Sequence, residues 1–292
     1  MTIRIGTRIP PKLGELGIGK AAEWAAGIGL QVLDVPALTP EIKQACDAAG
    51  LSVGTVDAVG VGQLLSRDPA WRAAGTRALS ERISETAALG GSKLFLCLVP
   101  EDPAVPRSET FDIWKEAFPS VVAHAEREGV YLAVEGWPGP APHYPAIGCT
   151  PELLRAMFEA IPSKHLGLNY DPSHLIRLGI DHLRVLDEFG GKVIHVHGKD
   201  TQILAEERYL YGIQEAAFGA KLGFSEGSWR YTIPGDGDAD WVRIKRKLDE
   251  LGYTGAVSIE LEDHYYWGSL ELEQAGIRKA AACLSGIFGA DA

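Results

Sequence analysis

The sequence predicts a single closed (β/α)8 barrel spanning residues 1–292. Three observations predict it. Eight short apolar runs alternate with eight longer amphipathic segments, the rhythm of a parallel sheet whose strands are covered by helices. The first run ends at Gly6 and leads into Thr7-Arg8-Ile9-Pro10-Pro11, where an open doubly wound sheet would carry a Gly-rich phosphate turn. The length of 292 residues suits one α/β barrel, and no linker, low-complexity tract or internal repeat divides it.

Each element follows in order. Ile3–Gly6 is the first strand. Gly19–Ile28 carries Ala21, Trp24 and Ala25 at helical spacing. Gln31–Val35 is the second strand. Thr39 caps Pro40–Ala49, with proline at the first helical position. Leu51–Val56 is the third strand. Asp68 opens the long helix Pro69–Leu89, and Gly90-Gly91 stops it. Lys93–Val99 is the fourth strand. Helix Glu109–Glu128 ends at Gly129, before the fifth strand, Val130–Glu135. Thr150–Ala160 is another helix with a Thr-Pro-Glu start. Leu166–Asp171 is the sixth strand. Leu175–Phe189 is a weaker helix, interrupted by Gly179. Val193–Gly198 is the seventh strand. Asp240–Leu251 ends at Gly252, Ala256–Leu261 is the eighth strand, and Ser269–Leu284 closes the chain.

One segment breaks the rhythm. Lys199–Pro234 is too long for a routine loop and shows no clear helical period. It carries Tyr209, Tyr211, Phe218, Phe224, Trp229 and Tyr231. That aromatic density predicts an ordered lid or an oligomer contact. By analogy with barrels that carry extended aromatic loops, a homodimer is expected.

Composition excludes several classes. Lys plus Arg is 28 against 39 Asp plus Glu, a net charge of -11. A nucleic-acid partner would need clustered basic residues, so none is expected. No run of about 18 apolar residues is present, so no membrane span is expected either. The opening MTIRIGTRIPPKLGELG lacks the apolar stretch of a signal peptide. Cys46, Cys97, Cys149 and Cys283 are scattered, with no CxxC pair. Free thiols in a reducing cytoplasm are the expectation.

In a barrel, chemistry gathers where strands end at the C-terminal face. The fifth strand ends in Glu135 and the sixth in Asp171, with His174 just beyond. The seventh ends in His197, followed by Lys199 and Asp200, and the eighth ends in Glu260. Three carboxylates at one rim would repel each other and raise their pKa values. A divalent cation removes that problem, and oxygen ligands with one imidazole suit Mn²⁺, Mg²⁺ or Co²⁺. Strand alternation puts His195 and His197 on the same side, with His195 one layer deeper as a core or supporting residue. Glu260 and Glu262 also share a side. Both are candidates, and Glu260, directly after Val257-Ser258-Ile259, is favoured.

The segments VEGW, DPSH, HVHGKD, PGDGDADW and GAVSIELED, in that order, resemble the xylose isomerase-like (β/α)8 superfamily, the sugar phosphate isomerase/epimerase group. The resemblance covers roughly Val130 to Asp263. It implies one divalent metal ion, most commonly Mn²⁺, held by Glu135, Asp171, His197 and Glu260. Glu135 and Glu260 would also be the catalytic acid and base. They would take a proton next to a carbonyl and return it on the opposite face, through a metal-stabilised enediolate. His174, Lys199, Arg230 and Trp137 would bind the substrate, a small sugar or keto-sugar. Arg230 stands near the place of the epimerases' substrate arginine. The stretch Gly198-Lys199-Asp200 departs from the 3-epimerase pattern and is similar to the inosose dehydratase-like branch. The expected function is therefore a metal-dependent sugar isomerase or epimerase. The alternative is a metal-dependent lyase that dehydrates a keto-sugar or inosose. Endonuclease IV shares the superfamily fold, but the acidic charge and only 8 histidines argue against a DNA-repair enzyme. PGDGDADW reads mainly as architecture, with Asp240 as a helix cap.

Overall fold

The computed structural model describes residues 3–219 and 221–289. Its eight parallel barrel strands are β1 (Arg4–Arg8), β2 (Val32–Val35), β3 (Ser52–Asp57), β4 (Lys93–Cys97), β5 (Tyr131–Glu135), β6 (Leu166–Tyr170), β7 (Val193–Gly198) and β11 (Ala256–Ile259). They pair in sequence order, and β11 closes the ring against β1. The barrel expectation is correct, and each of the eight expected strands lies within two residues of its forecast ends.

Local chemistry explains the helices. Thr39, Asp68, Thr150, Asp240 and Ser269 each accept a backbone N–H at a helix start, which satisfies a donor that has no partner within the helix. Gly50 and Gly129 end their helices in the left-handed conformation. Gly179 divides the weak helix into Pro172–Arg177 and His182–Phe189. Buried leucine, isoleucine and valine side chains join helices to strands in one continuous core.

The long segment after β7, expected as an aromatic-rich loop without helical period, has secondary structure of its own. It contains β8 (Asp200–Ile203), a helix Ala205–Tyr211, β9 (Ser225–Glu226) and β10 (Trp229–Thr232). The strands form a small antiparallel sheet in the order β8-β10-β9, with Thr201 opposite Tyr231. Two of these strands are short and polar, so no apolar period announces them. The aromatic residues differ widely in exposure. Trp229 and Tyr231 are buried, whereas Tyr209 is 85% and Phe218 96% exposed.

Candidate active site

Strand alternation sets which residues face inward. On β5, Tyr131, Ala133 and Glu135 share a side; on β7, Val193, His195 and His197 do. The ends of β5, β6, β7 and β11 then bring Glu135, Asp171, His197 and Glu260 together. One donor atom from each lies within 4.8 Å of all the others. Glu135, Asp171 and His197 are buried, and the Glu260 side chain is 13% exposed. Glu260, not Glu262, is the member from the eighth barrel strand.

The contacts are unlike an ordinary ion-pair cluster. His197 Nδ1 lies 2.6 Å from Glu135 Oε2 and 3.3 Å from Glu260 Oε2. Despite these separations, Nδ1 has no hydrogen-bond partner of acceptable geometry. Asp171 spends one oxygen on structure: Oδ1 accepts the Ser173 N–H at 2.8 Å and caps the helix Pro172–Arg177. Its Oδ2 is buried without a hydrogen-bond partner. Ligand-type atoms that converge without hydrogen-bonding one another fit a shared cation. Ligand atoms about 2.1 Å from one metal lie roughly 3 Å apart. The residues therefore fit a divalent ion with oxygen and imidazole ligands.

Cationic side chains surround the carboxylates. Lys199 is buried, and its Nζ lies 3.3 Å from Asp171 Oδ2 and 3.0 Å from Glu262 Oε2. It also donates to Glu260 Oε2. Burial favours a neutral lysine, but Glu260, Glu262 and Asp171 outweigh it and hold the pKa well above the usual range. Burial likewise opposes the charge on Glu260, and Lys199, His197 and Arg8 outweigh it and hold its pKa well down. For Glu135, burial and Glu260 push upward, but His197 and His174 hold the pKa below the usual range. For His197, burial pushes downward, and Glu260 and Glu135 lift the pKa to about 10.

His174 sits in the first turn after Asp171. Its Nε2 lies 3.2 Å from Glu135 Oε1 and 3.3 Å from Asp171 Oδ2. Its Nδ1 lies 2.6 Å from Tyr231 Oη, which accepts from Arg177 Nη1 at 2.7 Å. Arginine only donates, so the Tyr231 proton is free to point at His174 Nδ1. Burial pushes the Tyr231 pKa far above the usual range, so that proton stays in place. With Nδ1 accepting that proton, Nε2 is the ring nitrogen that carries a hydrogen toward the carboxylates. Arg177 lies 3.9 Å above the Trp229 ring, and its Nη2 donates to Glu226 Oε2 at 2.7 Å. The small sheet is thereby tied to the barrel rim.

One expected substrate residue faces away from this cluster. Alternation on β10 turns Tyr231 toward His174, so Arg230 faces the other way. Arg230 donates to Gln202 Oε1 at 2.9 Å and to Asp263 Oδ1 at 3.3 Å. The expectation that Arg230 reaches the site is corrected by that strand phase. Trp137 is half-buried, two residues past Glu135. Asp200, next to Lys199, serves structure. It accepts from the Gly235 and Ala239 backbones and from Trp241 Nε1, so the PGDGDADW turn is built around it.

Sequence reasoning missed two strand ends. Arg8, at the end of β1, lies 3.3 Å from Glu260 Oε1 through Nε and makes a two-pronged bond to Asp57. Asp34, on β2, is buried behind the site. It accepts from His195 Nε2 at 2.9 Å and from the Thr55 N–H at 2.7 Å. Its Oδ2 lies 3.8 Å from His197 Nε2. Burial pushes the Asp34 pKa up, but His195, His197 and Arg8 hold it below the usual range. Reading the first and second strand ends as the last four were read would have found both.

Comparison with known proteins gives a consistent picture. The family model described as "Xylose isomerase-like TIM barrel" matches residues 19–286. The uncharacterized protein YfiH of Bacillus subtilis is 32% identical over 167 residues, covering 56% of this chain and 47% of that protein. Inosose dehydratase of Geobacillus thermodenitrificans is 34% identical over 116 residues, covering 40% of this chain and 37% of that protein. The chain thus spans half the length or less of these curated relatives. A D-psicose 3-epimerase solved in the presence of D-fructose superposes with a TM-score of 0.72 at 17% identity, covering 99% of this chain and 100% of that one. The Escherichia coli 3-keto-D-glucoside 4-epimerase YcjR gives 0.69 at 17%, covering 97% and 99%. At those identities the likeness is one of fold. No helix of the described residues is long and apolar enough to cross a membrane.

Proposed function

Because the chain belongs to the xylose isomerase-like TIM barrel family, we propose that it is a divalent-metal-dependent sugar isomerase or epimerase. The carrying observation is the convergence of Glu135, Asp171, His197 and Glu260, with His197 Nδ1 and Asp171 Oδ2 buried and without hydrogen-bond partners. These four residues would hold one ion, Mn²⁺ first, with Mg²⁺ or Co²⁺ as the other candidates. When bound, the ion polarises the substrate carbonyl and stabilises negative charge developing on its oxygen.

The protein's own residues do the rest. Glu135 and Glu260 stand on barrel strands separated by β6 and β7, so their carboxylates can approach a bound sugar from two sides. One removes the proton from the carbon beside the carbonyl. The other supplies a proton to the opposite face. His174 donates its Nε2–H to a substrate oxygen, in the orientation that Tyr231 imposes. Lys199 donates to a second oxygen. Tyr231 of the inserted sheet, packed against His174 and Lys199, would keep water from the carbanion-like centre. The substrate is a small sugar or keto-sugar.

A second reading is a lyase acting on a keto-sugar or inosose. The inosose dehydratase relatives favour it, as does the buried ammonium of Lys199 beside Glu260. The first step is the same proton abstraction. Lys199 or Glu260 then protonates the departing hydroxyl, and water leaves from the adjacent carbon.

The test is the metal-loaded protein offered ketoses, 3-keto-glycosides and inososes. A carbon epimer or an aldose–ketose isomer as product supports the first reading. An ultraviolet-absorbing unsaturated ketone supports the second. No metal-dependent turnover on any class contradicts both.

A further inference from the structure

The opposite end of the barrel carries a second charged constellation. A cavity of about 710 Å³ opens there. Its lining residues come from the starts of the strands: Arg4 begins β1, Lys93 begins β4, Tyr131 begins β5, and Lys192 precedes β7. Lys164 and Tyr253, just before β6 and β11, complete the wall.

Alternation shows why these side chains converge. Arg4 shares its side of β1 with Arg8, which reaches Glu260 inside the barrel. Lys93 shares its side of β4 with Phe95, whose ring lies 5.1 Å from that of His197. Arg4 and Lys93 therefore belong to the lowest interior layer of the barrel, a place normally filled by apolar side chains. No acidic residue lines the cavity. None of its four cations forms an ion pair with a carboxylate among the described residues. Two are aimed by neutral groups instead. Arg4 Nη1 donates to Ser52 Oγ at 3.0 Å, and Lys192 Nζ donates to the Ser163 carbonyl at 2.9 Å. Lys93 is half-buried and has no hydrogen-bond partner among the described residues. Burial accordingly holds its ammonium below the usual lysine range.

Four unpaired cations around one concavity are costly in a chain of net charge -11, where carboxylates are plentiful. A bound dianion would relieve their repulsion and satisfy their spare N–H groups. The Tyr131 and Tyr253 rings add apolar wall, which suits an organic body attached to the anion. We propose that this cavity is a binding site for a small organic phosphate, separate from the site at the opposite rim. The phosphate would lie against Arg4, Lys93 and Lys192, and its organic part against the two tyrosines.

The test is calorimetric titration of the full chain at low ionic strength with phenyl phosphate, inorganic phosphate and phenol. Phenyl phosphate should bind at least 10-fold more tightly than either of the others. Lys93→Met and Lys192→Met should each weaken it at least 10-fold, whereas Glu260→Gln should not. Lys93→Arg and Lys192→Arg keep the charge and should bind nearly as the wild type does. Thermal melting of each variant reports whether it is folded. Binding that survives the double methionine variant, or that the arginine variants lose equally, overturns the proposal. So does phenyl phosphate binding no better than phenol. Inorganic phosphate binding as tightly as phenyl phosphate overturns the part given to the tyrosines.

Discussion

Glu135 receives the Asn169 side-chain N–H on Oε2 at 2.7 Å and faces His174 Nε2 through Oε1. Its carboxylate is thus held in one orientation at the end of β5. Glu260 is held between Arg8 and Lys199. If these two carboxylates move the protons, Glu135→Gln and Glu260→Gln should each lower kcat by about 10²–10⁴-fold. Near wild-type kcat in either variant would remove it from the proton transfer. Tyr231→Phe takes away the donor that sets the His174 tautomer. It should lower kcat by about 10-fold and give the His174 ring nitrogens the averaged ¹⁵N shifts of mixed tautomers. A single Nε2–H signature in the variant would contradict the chain from Arg177. Asp34 supplies a pH test in the metal-free protein. Its folded pKa lies below its unfolded value, so its contribution to stability is fully present above about pH 4 and is lost as pH falls further. The stability gap between wild type and Asp34→Asn, measured by urea unfolding, should shrink from pH 6 to pH 3. A constant gap would show that the carboxylate charge contributes nothing.

At the scale of elements, the inserted sheet and the barrel meet through Arg177. It stacks on Trp229 and bonds Glu226, which also accepts from Tyr144 Oη at 3.1 Å. Arg177→Met should loosen this junction. Limited proteolysis should then cut within residues 205–219 several-fold faster, and unchanged cutting would show that Arg177 does not secure the insertion. The same comparison shows what a sequence can carry. The barrel strands were legible because near-continuous apolar runs such as Leu166-Gly167-Leu168 have few other uses. The four residues that gather at the rim were legible because each stands at the end of such a run. β8 was not legible, because three of the four residues in Asp200-Thr201-Gln202-Ile203 are polar and the strand pairs with one about 30 residues away. Arg8 and Asp34 acquire meaning only through Glu260 and His195, partners 252 and 161 residues further along the chain. Arg230 was misplaced because the phase of β10 depends on its partner β8, which sequence periodicity did not reveal.

Two charged clusters stand at opposite ends of the barrel. Three carboxylates and a histidine gather at the C-terminal rim, and four cations without an ion-pair partner among the described residues gather at the N-terminal mouth. The carboxylate rim explains the central chemical claim, because its crowded charges suit a divalent ion and its two glutamates suit proton transfer beside a carbonyl. Both the epimerase and the lyase reading begin with that transfer. The most direct measurement is mass-spectrometric detection of deuterium taken up from D₂O by ketoses and inososes, comparing metal-loaded with chelator-treated protein. The account predicts incorporation at the carbon next to the carbonyl for at least one compound, abolished by metal removal and restored by Mn²⁺. Incorporation that persists without metal, or none with any compound at full metal loading, would contradict it.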